Sequence, residues 1–179
     1  MTIVDPLLSR YTKWAKGVAP VLGTTAEKSI KETAKIPLLF EPGESWEYSV
    51  GIDWAGQMVE RVNDNINLEE YLKKNVWGPL GMKNVTFFPS QHPEVLSRLA
   101  TVSWRHGGTN IFGSTDNPDG KVEYTNELFY TLKAKECEGG AGGYASPSEY
   151  FKLLMSICAN DGKILKSETI EEMFVSYFE

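Results

Sequence analysis

Helix-forming patterns outnumber strand-forming patterns along these 179 residues, and the strand-like runs are short. Apolar residues recur at helical spacing over residues 49–63 and 67–76. Only residues 85–88, 101–105 and 122–124 have the extended, β-favouring character of strands. Because a stable sheet needs several strands that share an apolar face, these runs are too few to build a complete one. The sequence therefore predicts an α+β chain in which helix outweighs strand and the few short strands leave the sheet incomplete.

Capping residues mark three of the predicted helix starts. Asn67 is followed by Glu70 at the spacing of a capping box, and Ser146 precedes a proline and Glu149. Ser167 is expected to cap a last helix. Two helices have clear apolar faces, which we expect to be buried. These faces are Ile52, Ala55, Gly56, Val59 and Val62 on the first, and Tyr150, Phe151, Leu154, Ile157 and Cys158 on the second.

Composition and charge narrow the class of partner. Apolar residues make up 41% of the chain, which is typical of a globular protein, and the net charge of −6 argues against a nucleic-acid or acidic-membrane partner. The N-terminus lacks a signal-peptide pattern and no window approaches a membrane span, so we expect a cytoplasmic protein. Cys137 and Cys158, the two cysteines, are expected to be reduced structural thiols.

Tyr48 is the residue best placed for chemistry. It lies in the stretch PLLFEPGESWEYSVGIDWAG, where an extended run and a Pro-Gly turn lead into a helix. A phenol has a pKa of about 10 and needs a nearby cation before it can act as a base at neutral pH. The alternative is a purely structural tyrosine that packs on Trp46 and Trp54.

The chain resembles the serine β-lactamase and penicillin-binding-protein superfamily over residues 38–167. Four stretches carry the resemblance in order: FEPGESWEYS, GIDWAGQMVERV, NLEEYLKKNVWGPLGMKNVTF and GGAGGYASPSEYFKLL. The nearest branch is that of the esterases and transesterases related to class C β-lactamases, which includes fungal acyltransferases of polyketide pathways. The resemblance implies the mostly helical lobe of the β-lactamase-like fold, with residues 1–179 forming a single partial domain.

Enzymes of this superfamily combine a Ser-x-x-Lys pair, a tyrosine element and a Lys-Thr-Gly-like strand. Tyr48 matches the tyrosine, which implies that it is the general acid/base. Val50 stands where a β-lactamase has asparagine, which resembles the esterase branch. The implied substrate is a small-molecule ester or thioester, and we expect Trp46, Trp54 and Trp104 to bind it. No cofactor and no metal are implied.

The other two elements are missing from this sequence. None of the thirteen serines is followed by lysine three residues later, and no Lys-Thr-Gly or His-Thr-Gly occurs. Thr25 and Lys28 have the spacing, but their polar surroundings indicate a coincidence. The chain is therefore predicted to be the middle of a longer enzyme and inactive alone. It should expose apolar surface for self-association or a partner chain, including Trp14, Trp46, Trp54, Trp77 and Trp104.

Two other functions stay open. One is a non-catalytic binding module or subunit of the same fold. The other is a repurposed pocket that performs proton transfer or isomerisation through Tyr48.

Three further features have structural interpretations. His92 and His106 have no neighbours at metal-ligand spacing, so we expect no metal site. The glycine-rich residues 139–143 predict a close backbone crossing, because no Gly-Lys phosphate-binding motif follows. Asp53 and Glu60 are expected on a solvated helix face, not as an acid–base pair.

Overall fold

The structure is a computed structural model that describes residues 29–33, 40–45, 50–105, 119–125, 132 and 134–176. Its helices are α1 (Ile30–Thr33), α2 (Gly51–Val62), α3 (Leu68–Leu72), α4 (Pro93–Leu96), α5 (Pro147–Ala159) and α6 (Ser167–Glu172). A π-helical turn, Lys73–Trp77, continues α3, and a 3₁₀ turn, Pro89–Gln91, precedes α4. The strands are β1 (Val85–Thr86), β2 (Val102–Arg105), β3 (Val122–Thr125) and β4 (Tyr144–Ala145).

The strands of the described part form two separate two-stranded sheets, both antiparallel. In the first, Val85 of β1 lies opposite Ala145 of β4. In the second, Val102 of β2 lies opposite Thr125 of β3. Short strands in small sheets agree with the predicted partial α+β fold. The pairing of β1 with β4 also brings the segment after the glycine-rich residues back to the segment after α3.

The connection between α2 and α3 is held by side chains that cap the second helix. Asn67 caps α3 as predicted, and its side-chain oxygen accepts a hydrogen bond from the backbone N–H of Glu69 at 2.9 Å. Glu70 does not take the predicted reciprocal role; the N–H that follows the cap, that of Leu68, is accepted by the carboxylate of Glu60 at 2.8 Å. Glu70 instead lies on the surface and pairs with Lys73. A residue from the preceding helix thus satisfies one of the free N–H groups at the start of α3 and connects the two helices.

A small apolar core lies beside α3 and the turn that ends it. Its buried members are Leu68, Trp77, Met82, Phe87 and Cys137. The rings of Trp77 and Phe87 stack with their centroids 6.1 Å apart. The expectation that Trp77 is exposed is wrong: only 7% of it is accessible, because the π-helical turn points it into this core.

Most of the predicted apolar faces of α2 and α5 is exposed, although Gly56 is buried and Val59 packs against the core. Ile52 and Val62 of α2, and Tyr150, Phe151 and Leu154 of α5, are all exposed, and so is Cys158. Both helices instead turn polar side chains inward, because those side chains find specific partners there. The start of α5 agrees with the prediction, since the Ser146 side chain accepts the backbone N–H of Glu149. Ser167 is different: it is the first residue of α6, not its cap, and it accepts a hydrogen bond from Asn160.

Among the described helices, none has both the length and the apolar character needed to cross a bilayer.

Candidate active site

Tyr48 and Trp46 lie outside the described residues. The described elements next to them are helix α2, which follows them in the chain, and the segments that contact α2. The described chain resumes at Val50, immediately before α2. Trp54 is half-buried in the first turns of α2. Trp104 lies in β2 opposite Glu123 of β3, and its side chain is outside the described part. The catalytic role of Tyr48 and the binding roles of the three tryptophans remain predictions.

The glycine-rich residues 139–143 pass directly against the start of α2. A Cβ atom added at Gly139 would lie 3.0 Å from the backbone oxygen of Ile52 and 3.6 Å from a methyl group of Leu68. From the other side, a Cβ added at Gly56 would lie 2.9 Å from the same Leu68 methyl group. The predicted close backbone crossing is therefore confirmed, and two glycines on different segments make it possible.

Asp53 ties the glycine-rich segment to the first turn of α2. Its carboxylate accepts a hydrogen bond from the backbone N–H of Gly140 at 2.8 Å. Asp53 is half-exposed, which is compatible with the predicted solvated position, but its carboxylate also makes this tertiary contact. Its negative charge also acts on Glu138: burial raises the pKa of that carboxyl above its ordinary value, and repulsion by Asp53 and Glu136 raises it further.

Glu60 makes a second tertiary contact from α2. One carboxylate oxygen accepts the Leu68 N–H, and the other accepts the side-chain amide of Gln57 at 3.1 Å. Glu60 is half-buried, so the prediction of a solvated position is wrong for this residue. Asp53 and Glu60 thus hold α2 at two points on its inner side.

A buried carboxylate connects helix α3 to strand β1. Glu69 is only 3% exposed, and its oxygens accept hydrogen bonds from the Thr86 hydroxyl at 2.9 Å and the Phe87 N–H at 2.6 Å. The ammonium of Lys73 lies 2.8 Å from the same carboxylate. Glu69 therefore joins α3 to β1, and through the β1–β4 pairing to the chain that follows the glycine-rich segment.

The electrostatics of this group favour the charged form of Glu69. Burial alone would raise the pKa of the carboxyl, but the hydrogen bonds from Lys73, Phe87 and Thr86 outweigh it, so the pKa is lowered. The same contact with Glu69 raises the pKa of Lys73. Because its oxygens are already occupied, Glu69 is a structural anion here and not a general base.

Cys137 and Cys158 are both free thiols in very different settings. Cys137 is buried, its sulfur lies 3.3 Å from the side-chain oxygen of Asn67, and burial raises the pKa of its thiol to about 12. It is a structural thiol, as predicted. Cys158 is reduced as predicted but exposed on α5.

Histidine and acidic side chains form no candidate metal centre in the part of the chain that the structure describes. His92 lies between two carboxylates, with a ring nitrogen 3.7 Å from Glu69 and the other 3.3 Å from Glu94. His106 lies outside the described residues.

The sequence did not reveal the buried contacts of Glu69 or the hydrogen bond that Asp53 accepts from Gly140. Glu69 is one of two adjacent glutamates in a helix start, where either residue can face solvent. The hydroxyl of Thr86 and the N–H of Phe87, which select Glu69, lie 17 and 18 residues later. No local pattern connects these positions.

Comparison with known proteins matches residues 5–177 to the Beta-lactamase family model. The chain is 35% identical over 172 residues to ML-236A carboxylate methylbutanoyltransferase mlcH of Penicillium citrinum, covering 96% of this chain and 37% of that protein. It is 34% identical to monacolin J acid methylbutanoyltransferase of Aspergillus terreus, covering 84% of this chain and 34% of that protein.

A solved structure of a relative is also similar to this chain. Unliganded simvastatin synthase (LovD) from Aspergillus terreus aligns with a TM-score of 0.75 and 30% identity, covering all of this chain and 40% of that one. The matched relatives include acyltransferases and an esterase. This chain spans between a third and two fifths of the length of these three proteins.

Proposed function

The chain belongs to the Beta-lactamase family, and from that premise we propose that it is one part of a serine hydrolase or acyltransferase domain. Residues 1–179 form a single partial domain, and its place of action is the cytoplasm. The reaction is transfer of an acyl group from a small-molecule ester or thioester to water or an alcohol. The observation that carries this proposal is the match of residues 5–177 to the Beta-lactamase family model, together with 35% and 34% identity to relatives named as methylbutanoyltransferases.

The chemistry assigns Tyr48 to proton transfer. A serine oxygen attacks the ester or thioester carbonyl carbon, its proton passes to a base, and a tetrahedral oxyanion forms. Collapse of this intermediate breaks the bond to the leaving alkoxide or thiolate, which takes up the proton. Water or an alcohol then attacks the acyl-serine in the same way and releases the enzyme. Tyr48 relays these protons once a nearby ammonium lowers the pKa of its phenol.

The described contacts support this role because they hold the helix that follows Tyr48. Asp53 and the backbone crossing at Gly139 fix the first turn of α2 from the glycine-rich side. Glu60 fixes the same helix from the α3 side. A proton-transfer group needs such a rigid support, since small displacements of a catalytic group reduce the rate strongly.

The nucleophile comes from polypeptide outside these 179 residues. None of the thirteen serines has the required lysine three positions later. We therefore expect the chain to bind but not to turn over substrate alone, because loss of the nucleophile leaves only binding and electrostatic stabilisation.

A second function, a non-catalytic module or subunit, is favoured by one observation: apolar side chains on α2 and α5 are exposed. Such surface fits self-association or a partner chain. Proton transfer or isomerisation through Tyr48 alone is the third candidate, and no described contact favours it.

An activity-based fluorophosphonate probe tests the proposal. We expect no covalent labelling of the full chain, with the labelled relative from Aspergillus terreus as the positive control. Labelling of a serine in this chain would overturn the external-nucleophile proposal. Tyr48→Phe, introduced into any assembly that turns over an ester, should reduce the rate by about 10²-fold or more. Unchanged turnover would remove Tyr48 from the mechanism.

A further inference from the structure

Three carboxyl side chains come together where the glycine-rich segment crosses the start of α2. Asp53 lies on α2, and Glu136 and Glu138 lie in the segment that leads into the crossing. Two of these side chains have a backbone donor. Asp53 accepts the N–H of Gly140 at 2.8 Å, and Glu136 accepts the N–H of Ile30, in α1, at 2.8 Å. Glu138 is the third member of the group.

In the described part of the chain, the Glu138 carboxyl has no partner that stabilises its charge. It is half-buried, and neither a cation nor a hydrogen-bond donor contacts it there. The charged groups that face it are Asp53 from α2 and Glu136 from its own segment, and both are acidic. Helix α3 reaches the crossing through Leu68, which carries no charge. Ionisation of Glu138 therefore places one more anion beside two others in a partly desolvated position.

The backbone of Glu138 is fixed by contacts on both sides. Its carbonyl oxygen accepts the N–H groups of Ala141 at 3.2 Å and Gly142 at 2.8 Å, so the chain forms one closed turn here. A Cβ atom added at Gly142 would lie 3.0 Å from the Cβ of Glu138. Just before this turn, Cys137 is buried in the core. The backbone therefore keeps the Glu138 side chain close to α2.

The surroundings of Glu138 favour its protonated form in the folded chain. Burial raises the pKa of its carboxyl above the ordinary value of 4.5, and repulsion by Asp53 and Glu136 raises it further. In the unfolded chain these neighbours are dispersed, so the folded state binds the proton more tightly. The contribution of Glu138 to stability is therefore fully present below pH 4.5 and is lost as the pH rises through the raised pKa of the folded state.

We propose that Glu138 is a pH-dependent switch of the backbone crossing. When its carboxyl is protonated, the crossing is closed and the hydrogen bond from Gly140 to Asp53 holds the first turn of α2. When its carboxylate is ionised, Glu138 repels Asp53 and the same hydrogen bond opens more often. The switch responds to the proton and requires no other ligand.

The direction of this response is opposite to that of the other acidic contact described above. The hydrogen bonds from Lys73, Phe87 and Thr86 stabilise Glu69 as an anion, so acid weakens the contact between α3 and β1. Protonation of Glu138 instead strengthens the contact between the glycine-rich segment and α2. A loss of stability in acid that comes from Glu69 can therefore be told apart from the response of Glu138.

For the proposed function, the switch acts on the support of Tyr48. Helix α2 begins at Gly51, shortly after Tyr48, and its first turn is the part that the crossing holds. The support of Tyr48 is therefore firmest when Glu138 is protonated. This consequence rests on the proposed function, whereas the switch itself does not.

Hydrogen exchange of the Gly140 amide, measured by NMR on the full chain, tests the switch. Protection of this amide reports how often its hydrogen bond to Asp53 opens. At pH 7, Glu138→Gln, which cannot ionise, should increase the protection at least about threefold over the unsubstituted chain. At pH 4, where the unsubstituted side chain is also protonated, the two proteins should agree. Carbon-13 NMR titration of the Glu138 carboxyl gives the pH at which the difference appears.

Two further variants separate the switch from a general effect of removing charge. Glu171→Gln removes an exposed carboxylate on α6 and should leave the Gly140 protection unchanged at both pH values. In a chain that carries Asp53→Asn, the gain in protection from Glu138→Gln at pH 7 should fall by at least about half, because the repelling carboxylate is absent.

Three outcomes would overturn the proposal. The first is equal protection of Gly140 in the unsubstituted chain and in Glu138→Gln at pH 7, which would show that the ionised side chain turns into water without cost. The second is lower protection in Glu138→Gln, which would show that the carboxylate itself holds the crossing. The third is an undiminished gain in the Asp53→Asn chain, which would show that Asp53 is not the group that Glu138 repels.

Tyr48→Phe separates this inference from the proposed function. It should leave the pH dependence of Gly140 exchange intact, because Tyr48 is not part of the switch. An absent switch together with turnover that depends on Tyr48 in an active assembly would contradict this inference alone. An intact switch together with turnover that Tyr48→Phe does not change would contradict only the catalytic role of Tyr48.

Discussion

Asp53 and Gly140 are joined by a hydrogen bond of 2.8 Å between a helix carboxylate and a backbone N–H 87 residues later in the chain. The bond lies at the crossing between the first turn of α2 and the glycine-rich segment and connects the two. It brings together two of the stretches that carry the family resemblance. The crossing is therefore the best place to test how the helix after Tyr48 is held.

Asp53→Ala should destabilise the chain by about 1 to 2 kcal/mol, because the Gly140 N–H loses its charged acceptor. Asp53→Asn keeps an oxygen acceptor and should cost less. Denaturant unfolding of the two variants and the unsubstituted chain measures the difference. Equal loss in both variants would show that charge, and not the hydrogen bond, is what matters.

Gly139→Ala should destabilise by about 1 to 3 kcal/mol, because the added methyl group meets backbone and forces the crossing apart. The Ile52 oxygen, 3.0 Å from the added carbon, belongs to a helix and cannot move alone. Gly143→Ala is the matched control, since its nearest neighbour is an ordinary contact with Phe87 at 3.8 Å. Thermal unfolding of both variants gives the comparison, and a neutral Gly139→Ala would disprove the tight crossing.

Glu69→Gln should destabilise by about 1 to 3 kcal/mol at pH 7, because it removes the buried negative charge to which Lys73, Thr86 and Phe87 donate. The pKa of Glu69 is lowered from 4.5, so its contribution is fully present above that pH. The contribution disappears as the pH falls through the lowered pKa of the folded state. The difference in unfolding free energy between the variant and the unsubstituted chain should therefore shrink below pH 4.5.

Glu70→Gln is the control for this experiment. Glu70 is exposed and pairs with the same lysine at 3.3 Å, so its loss should cost less than about 0.5 kcal/mol. If the two glutamates cost the same, Glu69 is not the anchor between α3 and β1.

The full chain should bind 8-anilinonaphthalene-1-sulfonate, because apolar side chains cover the outward faces of α2 and α5. Met58→Asp and Phe151→Asp should each lower the fluorescence enhancement by about a third or more, as apolar area is lost. Val122→Asp should change it less, since it lies on neither helix. A monodisperse monomer that leaves the dye dark would contradict the exposure of these apolar side chains.

Local signals in the sequence were sufficient for the elements themselves. Asn67 and Ser146 cap helices where predicted, and residues 139–143 make the close crossing that five residues rich in glycine indicate. Three of the four described strands also lie within or overlap the predicted β-favouring runs, whereas β4 was not predicted. Helix capping and the close approach that glycine allows both depend on a few neighbouring residues. They can therefore be recognised without knowledge of the tertiary structure.

The candidate site was less predictable, because its supports act between distant segments. Asp53 and Glu60 were expected in solvent, yet each holds a backbone N–H of another segment. Trp77 was expected at the surface, yet a π-helical turn directs it into the core. In each case the partner that decides the orientation lies on a different element. Helical periodicity carries no information about such a partner.

The sequence by itself determined where the helices begin, which residues share a helix face, and which family the chain resembles. Only the tertiary structure decided which face turns inward. Periodicity divides α2 and α5 into an apolar and a polar side, but the inner side is chosen by the backbone amides and carboxylates that the rest of the chain offers. Here the buried partners on the inner side are mostly polar, so most of the large apolar side chains of both helices are exposed, while Val59 of α2 and Leu153 of α5 pack against the core.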